Sequence, residues 1–158
     1  RELGVFLRSI KISELPLVKP GEAIDMTLYG NACGYLLNGW GEPEKKHRWS
    51  TSKVFGLGMR LHTTFKTGAT LSLYGAPILY RGLDKQSVKI NMNGENVGSW
   101  DMTKGAEWYE VDVPEYILNG ERALSVEFEI SNPVRPCDIS ASSDGRLLGI
   151  AVEKIILK

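Results

Sequence analysis

Residues 123–131 read ALSVEFEIS, and this stretch decides the class of fold. Apolar side chains fill every second position, at Leu124, Val126, Phe128 and Ile130. Serine and glutamate fill the positions between them. Because successive side chains of a β-strand point to opposite faces, this alternation predicts a strand with one face in a core and the other in water.

The rest of the chain repeats this signal in short stretches separated by turn residues. Strand-like alternation or composition occurs at residues 4–12, 23–30, 54–61, 69–79, 87–94, 95–102, 107–114 and 147–157. Asn93-Gly94 predicts a tight hairpin, because both central residues of such a turn need positive φ. Residues 114–120 can hold one helical turn. The sequence therefore predicts an all-β fold, an antiparallel β-sandwich.

Length and charge exclude several classes of protein. The 158 residues suffice for one domain with its own core. Lys and Arg total 19, as do Asp and Glu, so no basic surface is expected to attract nucleic acid or an anionic membrane. No apolar run approaches the ~20 residues that span a bilayer. The chain starts at Arg1 without a signal segment, which suggests a mature or excised piece of a longer protein.

The two ends of the chain resemble each other. RELGVFLRSIKI (1–12) aligns with RLLGIAVEKIIL (146–157), with Arg, Leu, Gly and Ile recurring at four positions. A cut through a tandem array explains this, with residues 1–12 as the last strand of a preceding copy. Chance similarity between two strands is the alternative. Residues 13–158 are predicted to form a single β-sandwich domain.

Cysteines and acids leave two questions open. Cys33 and Cys137 have no metal-ligand spacing, and they form a disulfide if their loops meet or remain two free thiols. No cofactor is predicted. A structural Ca²⁺ held by oxygen ligands is possible, although no stretch has EF-hand spacing. Its candidate ligands are Asp84, Asp101, Asp112, Asp138 and Asp144.

The sequence shows no recognisable catalytic pattern. It has no Gly-x-Ser-x-Gly elbow, phosphate loop or dinucleotide fingerprint. Its two histidines, His47 and His62, stand outside any nucleophile pattern. Glu42 and Glu44 could form the carboxylate pair of a glycan hydrolase, but neighbouring loop acids are usually solvated. We therefore predict that the chain is not an enzyme and keep a hydrolase as the last alternative.

Three stretches together resemble a known family. They are GWGEPEKKHRWS (39–50), VKINMNGENVGSW (88–100) and ISNPVRPCDISASSDGRLLGIAVEKIIL (130–157). The family is a β-sandwich module appended to some bacterial glycosyltransferases and to the phosphoglycerol transferase that acts on periplasmic glucans. The resemblance implies a jelly-roll, galactose-binding-like sandwich.

The resemblance also implies a function and a cellular location. The expected function is non-catalytic recognition of a bacterial cell-envelope glycan within a larger glycan-synthesising or glycan-modifying protein. The alternative is a structural or interaction domain that packs on a catalytic or membrane partner. The expected location is the cell envelope, with the cytoplasmic face as the alternative. The expected partners are a glycan and other domains of the same protein, without nucleic acid and without insertion into the membrane.

The loop at 39–50 offers a grip for a sugar. A tryptophan gives a flat apolar face, and Arg and Glu can bond hydroxyl groups. Trp40 is the best candidate for an exposed platform, because Gly39 and Gly41 leave it little local packing. The predicted ligand contacts are Trp40, Glu44, Arg48, Trp49, Asn132, Asp144 and Arg146.

Structural roles compete with these assignments. Trp49 could plug the core, and a Glu44–Arg48 ion pair could pin the loop. Arg146 could form a bidentate bond with a carboxylate, including that of Glu44. Such a bond would join the loop at 39–50 to the loop that carries Asp144 and Arg146, and we call these the two motif loops. Trp100 and Trp108 are expected to face each other as a cross-strand pair, with an exposed sugar platform as the alternative, and Tyr74 and Tyr80 are equally ambiguous.

Overall fold

The computed structural model describes residues 15–65, 68–118 and 123–158. Within these ranges the chain forms eleven strands: β1 Leu17–Val18, β2 Ala23–Asp25, β3 Trp40–Pro43, β4 Arg48–Ser50, β5 Val54–Leu61, β6 Ala69–Pro77, β7 Gln86–Met92, β8 Glu95–Met102, β9 Glu107–Val113, β10 Ala123–Ile130 and β11 Ile150–Leu157. Helical structure in the same ranges is a 3-10 turn and two short helices: Ala32–Gly34, α1 Glu115–Leu118 and α2 Pro136–Ile139. None of the described helices has the length and apolar character needed to span a bilayer.

The strands form two sheets that pack face to face. Sheet A has the order β1-β5-β10-β7-β8, and sheet B has the order β3-β4-β11-β6-β9, with β2 also paired to β11. Neighbouring strands are antiparallel except β1 and β5, which are parallel. The predicted all-β antiparallel sandwich is therefore confirmed.

The core lies between the two sheets. In sheet A, Phe128 of β10 is opposite Phe55 of β5 and Ile90 of β7, and the two phenyl rings stack with centroids 5.2 Å apart. In sheet B, Leu73 of β6 is opposite Ile155 of β11. All five side chains are fully buried. Burial of apolar area on this scale is the main term that stabilises a sandwich.

Several local predictions agree with the structure. Asn93 and Gly94 have φ of 49° and 86°, as the hairpin between β7 and β8 requires. The predicted strands 54–61 and 95–102 have the observed bounds of β5 and β8. The stretch 123–131 forms β10 with its alternating burial, and the helical turn appears as α1.

Other predictions differ from the structure. The strand predicted at 23–30 ends at Asp25, because Thr27 N donates to Asp25 Oδ1 and turns the chain. The loop predicted at 39–50 contains β3 and β4, which pair with each other. Residues 1–12 lie outside the described part of the chain, so the tandem repeat and the boundary at residue 13 remain predictions.

The expected pair of Trp100 and Trp108 is wrong. β8 lies at the edge of sheet A and β9 at the edge of sheet B, so the turn between them connects two sheets and does not form a hairpin. Trp100 points into the core, where only 6% of it is exposed, and its indole N–H donates to the carbonyl of Glu110 at 2.7 Å. Trp108 points the other way and is 47% exposed.

Candidate functional site

Arg146 joins the two motif loops through its guanidinium. Nη1 donates to Glu44 Oε1 at 3.2 Å, while Nε and Nη2 donate to the carboxylate of Asp144 at 3.1 and 2.7 Å. The predicted tie between the loops is therefore present, and the bidentate partner is Asp144. Hydrogen bonds from the side chain and the backbone N–H of Arg146 lower the pKa of Asp144. The two carboxylates in turn raise the pKa of Arg146.

Glu44 does not pair with Arg48. Its second oxygen, Oε2, lies 3.2 Å from Nε2 of His47, and its first faces Arg146. The Glu44–Arg48 ion pair considered from the sequence is therefore wrong. Alternation along β4 explains this, because Arg48 is opposite the buried Val152 and points inward while His47 precedes the strand.

Arg48 is buried in β4, between β3 and β11 of sheet B. Only 6% of it is exposed, Nη1 donates to the carbonyl of Gly41 at 2.9 Å, and Nη2 lies 3.9 Å from Sγ of Cys33. Its Nε has no partner among the described residues. The guanidinium is thus enclosed and bonded to the backbone of β3, so this geometry gives Arg48 a structural role.

Trp40 packs on the core and is not the exposed platform expected from its flanking glycines. Its ring meets Phe55 edge to face at 4.9 Å, and Nε1 donates to the carbonyl of Gly56 at 2.7 Å. Gly39 has a φ of 85°, and a Cβ on it would lie 2.4 Å from the carbonyl oxygen of Val54. The glycine therefore serves a close backbone approach that lays Trp40 on the sandwich.

Trp49 takes the opposite orientation. It is opposite Ala151 of β11, on the face of sheet B that points away from the core, and it is half-buried. Its ring meets that of His47 edge to face at 5.1 Å. The core-plug interpretation is therefore wrong, because the inward positions of β4 belong to Arg48 and Ser50.

Asn132 and the cysteines belong to other contacts. The backbone of Asn132 bonds the buried side chain of Gln86, and its own amide donates to Ser131 Oγ at 2.9 Å. Cys33 and Cys137 are both exposed free thiols, so the structure adopts the second of the two alternatives left open by the sequence.

An aromatic pair lies on the outer surface of sheet B, with Trp108 exposed and Tyr74 partly buried. Tyr74 of β6 is opposite Trp108 of β9, and their ring centroids are 5.3 Å apart at 54°. Residues paired across antiparallel strands share one face, so both rings point away from the core. We call this outer surface the aromatic face, made of Tyr74, Trp108, Ser72, Glu110, Ile156 and Lys158.

Polar groups are fixed beside Trp108. Ser72 Oγ and Lys158 Nζ both donate to Oε1 of Glu110, each at 2.7 Å. Lys158 and then Ser72 lower the pKa of Glu110, so its carboxylate stays ionised. Together with Trp108 and Ile156, these residues line a cavity of about 350 Å³. A ring with an apolar face and several hydroxyl groups suits such a lining.

The sequence of β9 contains a signal for the aromatic face in the order of its residues. In EWYEVDV (107–113) the even positions carry Trp108, Glu110 and Asp112, and the odd ones carry mostly apolar residues. A tryptophan on the polar side of an alternating strand is the signal. Ser72, Glu110 and Lys158 were missed because only the pairing of β6, β9 and β11 brings them together.

The carboxyl groups of the described residues bear on the metal and hydrolase alternatives. No three His, Cys, Asp or Glu side chains in these ranges cluster closely enough to hold a metal ion. Among the residues that line the cavity, only Glu110 has a side-chain carboxyl group. A glycan hydrolase of the common kind uses two carboxyl groups across the scissile bond.

The sequence matches no known family model and no curated protein. Its fold is similar to that of several solved structures. The mosquito-larvicidal Cry4Aa toxin from Bacillus thuringiensis has 10% identity and a TM-score of 0.50 over 90% of this chain and 24% of the toxin chain. This likeness shows the fold alone.

Two smaller structures have lower TM-scores. The CBM36-1 domain of a multidomain xylanase from the hindgut metagenome of Trinervitermes trinervoides has 12% identity and a TM-score of 0.46, over 87% of this chain and 95% of that one. A carbohydrate-binding module CBM36 in complex with calcium and xylotriose has 13% identity and a TM-score of 0.45, over 87% and 99%.

Proposed function

We propose that the protein is a non-catalytic carbohydrate-binding module whose ligand lies on the aromatic face. The observation that carries the proposal is Trp108, which is 47% exposed beside a cavity with a fixed polar lining. Burial of apolar surface contributes about 25 cal/mol per Å² of free energy, and the exposed part of the Trp108 ring does not receive this stabilisation. A ligand that covers the ring recovers this term.

A sugar ring matches both parts of the lining. Its C–H face can stack on the indole, as apolar surfaces do on tryptophan, while its hydroxyl groups point to the rim. Glu110 receives both of its hydrogen bonds on Oε1, and Oε2 has no hydrogen-bond partner among the described residues. Oε2 is therefore free to accept from a hydroxyl group, and Lys158 has further N–H groups to donate.

The finer ligand class comes from the sequence resemblance. It is a bacterial cell-envelope glycan, recognised as one part of a larger glycan-synthesising or glycan-modifying protein in the cell envelope. A shallow face with one exposed tryptophan favours weak binding at each site. Several copies on one polymer would strengthen it through effective concentration.

A polysaccharide panel tests the proposal. The wild-type chain, Trp108→Ala and Tyr116→Ala are compared by affinity electrophoresis against neutral and charged polysaccharides, with envelope glycans included. Tyr116 is a matched control, because it is 61% exposed and lies on α1, where its hydroxyl donates to Glu95. We expect wild type and Tyr116→Ala to be retarded equally by at least one polymer, and Trp108→Ala to migrate freely while it remains folded.

A structural or interaction domain is the second candidate. The observation that favours it lies where the two motif loops meet, which we call the motif end. There Arg146 bonds the carboxylates of Glu44 and Asp144, and Arg48 is enclosed. If no polymer retards the wild-type chain, or if Trp108→Ala binds as wild type does, the carbohydrate proposal is overturned. The domain would then be expected to pack on a catalytic or membrane partner.

A further inference from the structure

We propose that the ligand path on sheet B continues from Trp108 past Tyr74 to Trp49, so that the site takes an internal stretch of a linear polysaccharide. This inference rests on the proposed function and specifies the form of the ligand. A site for a single sugar or a chain end needs only the cavity beside Trp108. An internal stretch needs a second aromatic contact at a distance, on the same face, with an open path between.

The strand register places the second contact. Trp49 of β4 is opposite Ala151 of β11, and Ala151 is opposite Ala76 of β6. Tyr74 lies two residues from Ala76 on the same strand and is opposite Trp108. Cross-strand partners and alternate residues share a face, so all five side chains point away from the core.

Small side chains occupy the sheet surface between Trp49 and Tyr74. In the row that starts at Trp49, the next two strands carry only the methyl groups of Ala151 and Ala76. Ala151 is buried, with 9% of it exposed, so the accessible part of this row is Ala76, which is partly exposed. Lys154, exposed and opposite Tyr74, flanks the path with an ammonium group that can donate to hydroxyls.

The length of the path excludes a single sugar ring as its natural occupant. Three interstrand steps separate β4 from β9, and one two-residue step separates the row of Trp49 from that of Trp108. At about 4.8 Å for each interstrand step and about 3.4 Å for each residue, the two backbone positions are roughly 16 Å apart. Several consecutive sugar units are needed to cover that distance.

The motif end has a part in this arrangement. Arg146 bonds Glu44, Glu44 lies 3.2 Å from the imidazole of His47, and His47 meets the ring of Trp49 edge to face. A continuous series of contacts thus holds the Trp49 ring. Glu44 and Arg146 are positioning residues for Trp49. The two motif loops thus contribute indirectly to a site on the outer surface of sheet B.

Calorimetry with a series of oligosaccharide lengths tests the inference. The ligands are the disaccharide to the hexasaccharide of whichever polymer retards the wild-type chain. We expect wild-type affinity to rise about tenfold or more from the disaccharide to the hexasaccharide. Trp49→Ala should bind the disaccharide as wild type does and lose about tenfold on the hexasaccharide. Trp108→Ala should lose both ligands, and Tyr116→Ala neither.

A second variant keeps the test independent of the folding of Trp49→Ala. Ala76→Gln places a longer side chain on the floor of the path and leaves both tryptophans intact. We expect it to weaken the hexasaccharide selectively, by about fivefold or more. Length-independent wild-type affinity, or unchanged hexasaccharide binding in Ala76→Gln and in folded Trp49→Ala, overturns the extended path. In that case a loss in Trp108→Ala still supports the proposed function, whereas wild-type binding to no polymer overturns both.

Discussion

Gly149 and Ser50 approach so closely where β4 meets the start of β11 that a Cβ on Gly149 would lie 2.5 Å from Ser50 Oγ. The approach lets Ser50 Oγ accept a hydrogen bond from the backbone of Ile150 at 2.9 Å. The backbone N–H of Gly149 also donates to the carbonyl of Ser50 at 3.0 Å. These contacts attach β4 to the start of β11, and they explain the glycine in the stretch 146–149 by packing.

Gly149→Ala is expected to lower the free energy of unfolding by about 1–3 kcal/mol. The added methyl group would overlap Ser50 Oγ and come within 2.9 Å of Ile130 Cδ1. Urea denaturation measures the change. Gly145→Ala is the matched control, since nothing lies within 4 Å of its Cβ position, and it should stay within about 0.5 kcal/mol of wild type. Equal stability of both variants would contradict the packing argument.

Arg48→Ala and Arg146→Ala are expected to differ in stability although both remove a guanidinium. Arg48→Ala empties a buried site and deprives the Gly41 carbonyl of its donor, which should cost about 2–3 kcal/mol. Arg146 is 48% exposed, and loss of its surface ion pairs should cost about 1 kcal/mol or less. Thermal unfolding of the two variants side by side checks the order, and the reverse order would refute the structural role of Arg48.

Asp25→Asn is expected to weaken the acid dependence of stability. The backbone N–H of Thr27 donates to Asp25 Oδ1 and lowers the pKa of that carboxyl below its unfolded value. Its contribution is therefore present above the unfolded pKa and is lost as pH falls through the folded pKa. Asparagine keeps the acceptor oxygen but does not titrate. Urea titrations between about pH 5 and about pH 2 should show a shallower decline for the variant, and an unchanged slope would contradict the assignment.

Both cysteines are expected to react as free thiols in the folded protein. Cys33 and Cys137 are exposed and unpaired with each other, so a maleimide should label both under native conditions. Addition of a reductant should leave the unfolding midpoint unchanged. A native mass two hydrogens lighter, with labelling only after reduction, would show the disulfide alternative instead.

The sequence alone determined those features that depend on neighbouring residues. The alternation in ALSVEFEIS predicts β10 because burial on one face of a strand has a period of two residues. Asn93-Gly94 predicts the hairpin because few residues adopt positive φ without strain. The contact between Arg146 and Glu44 is not local, and the sequence indicates it only as one option, because a planar guanidinium can bind a carboxylate where two loops meet.

Only the tertiary structure decided that Trp40 is packed on the core. Trp40 sits between glycines and Trp108 lies in an alternating strand, yet Trp40 packs on Phe55 and Trp108 is exposed. Alternation in 107–113 puts Trp108 on the same side as Glu110 and Asp112, and this indicates its exposure. No such pattern surrounds Trp40, whose burial depends on contact between the sheets, because Trp40 belongs to β3 of sheet B and Phe55 to β5 of sheet A.

Strand pairing also decided which residues form the candidate site. Ser72, Glu110 and Lys158 come from three strands that are far apart in the sequence, and pairing brings them to one carboxylate oxygen. Local patterns cannot predict such a meeting, because strand order is set by burial across the whole sandwich. The sequence by itself determined the strands and their two faces, and the packing of the sheets decided which face carries the site.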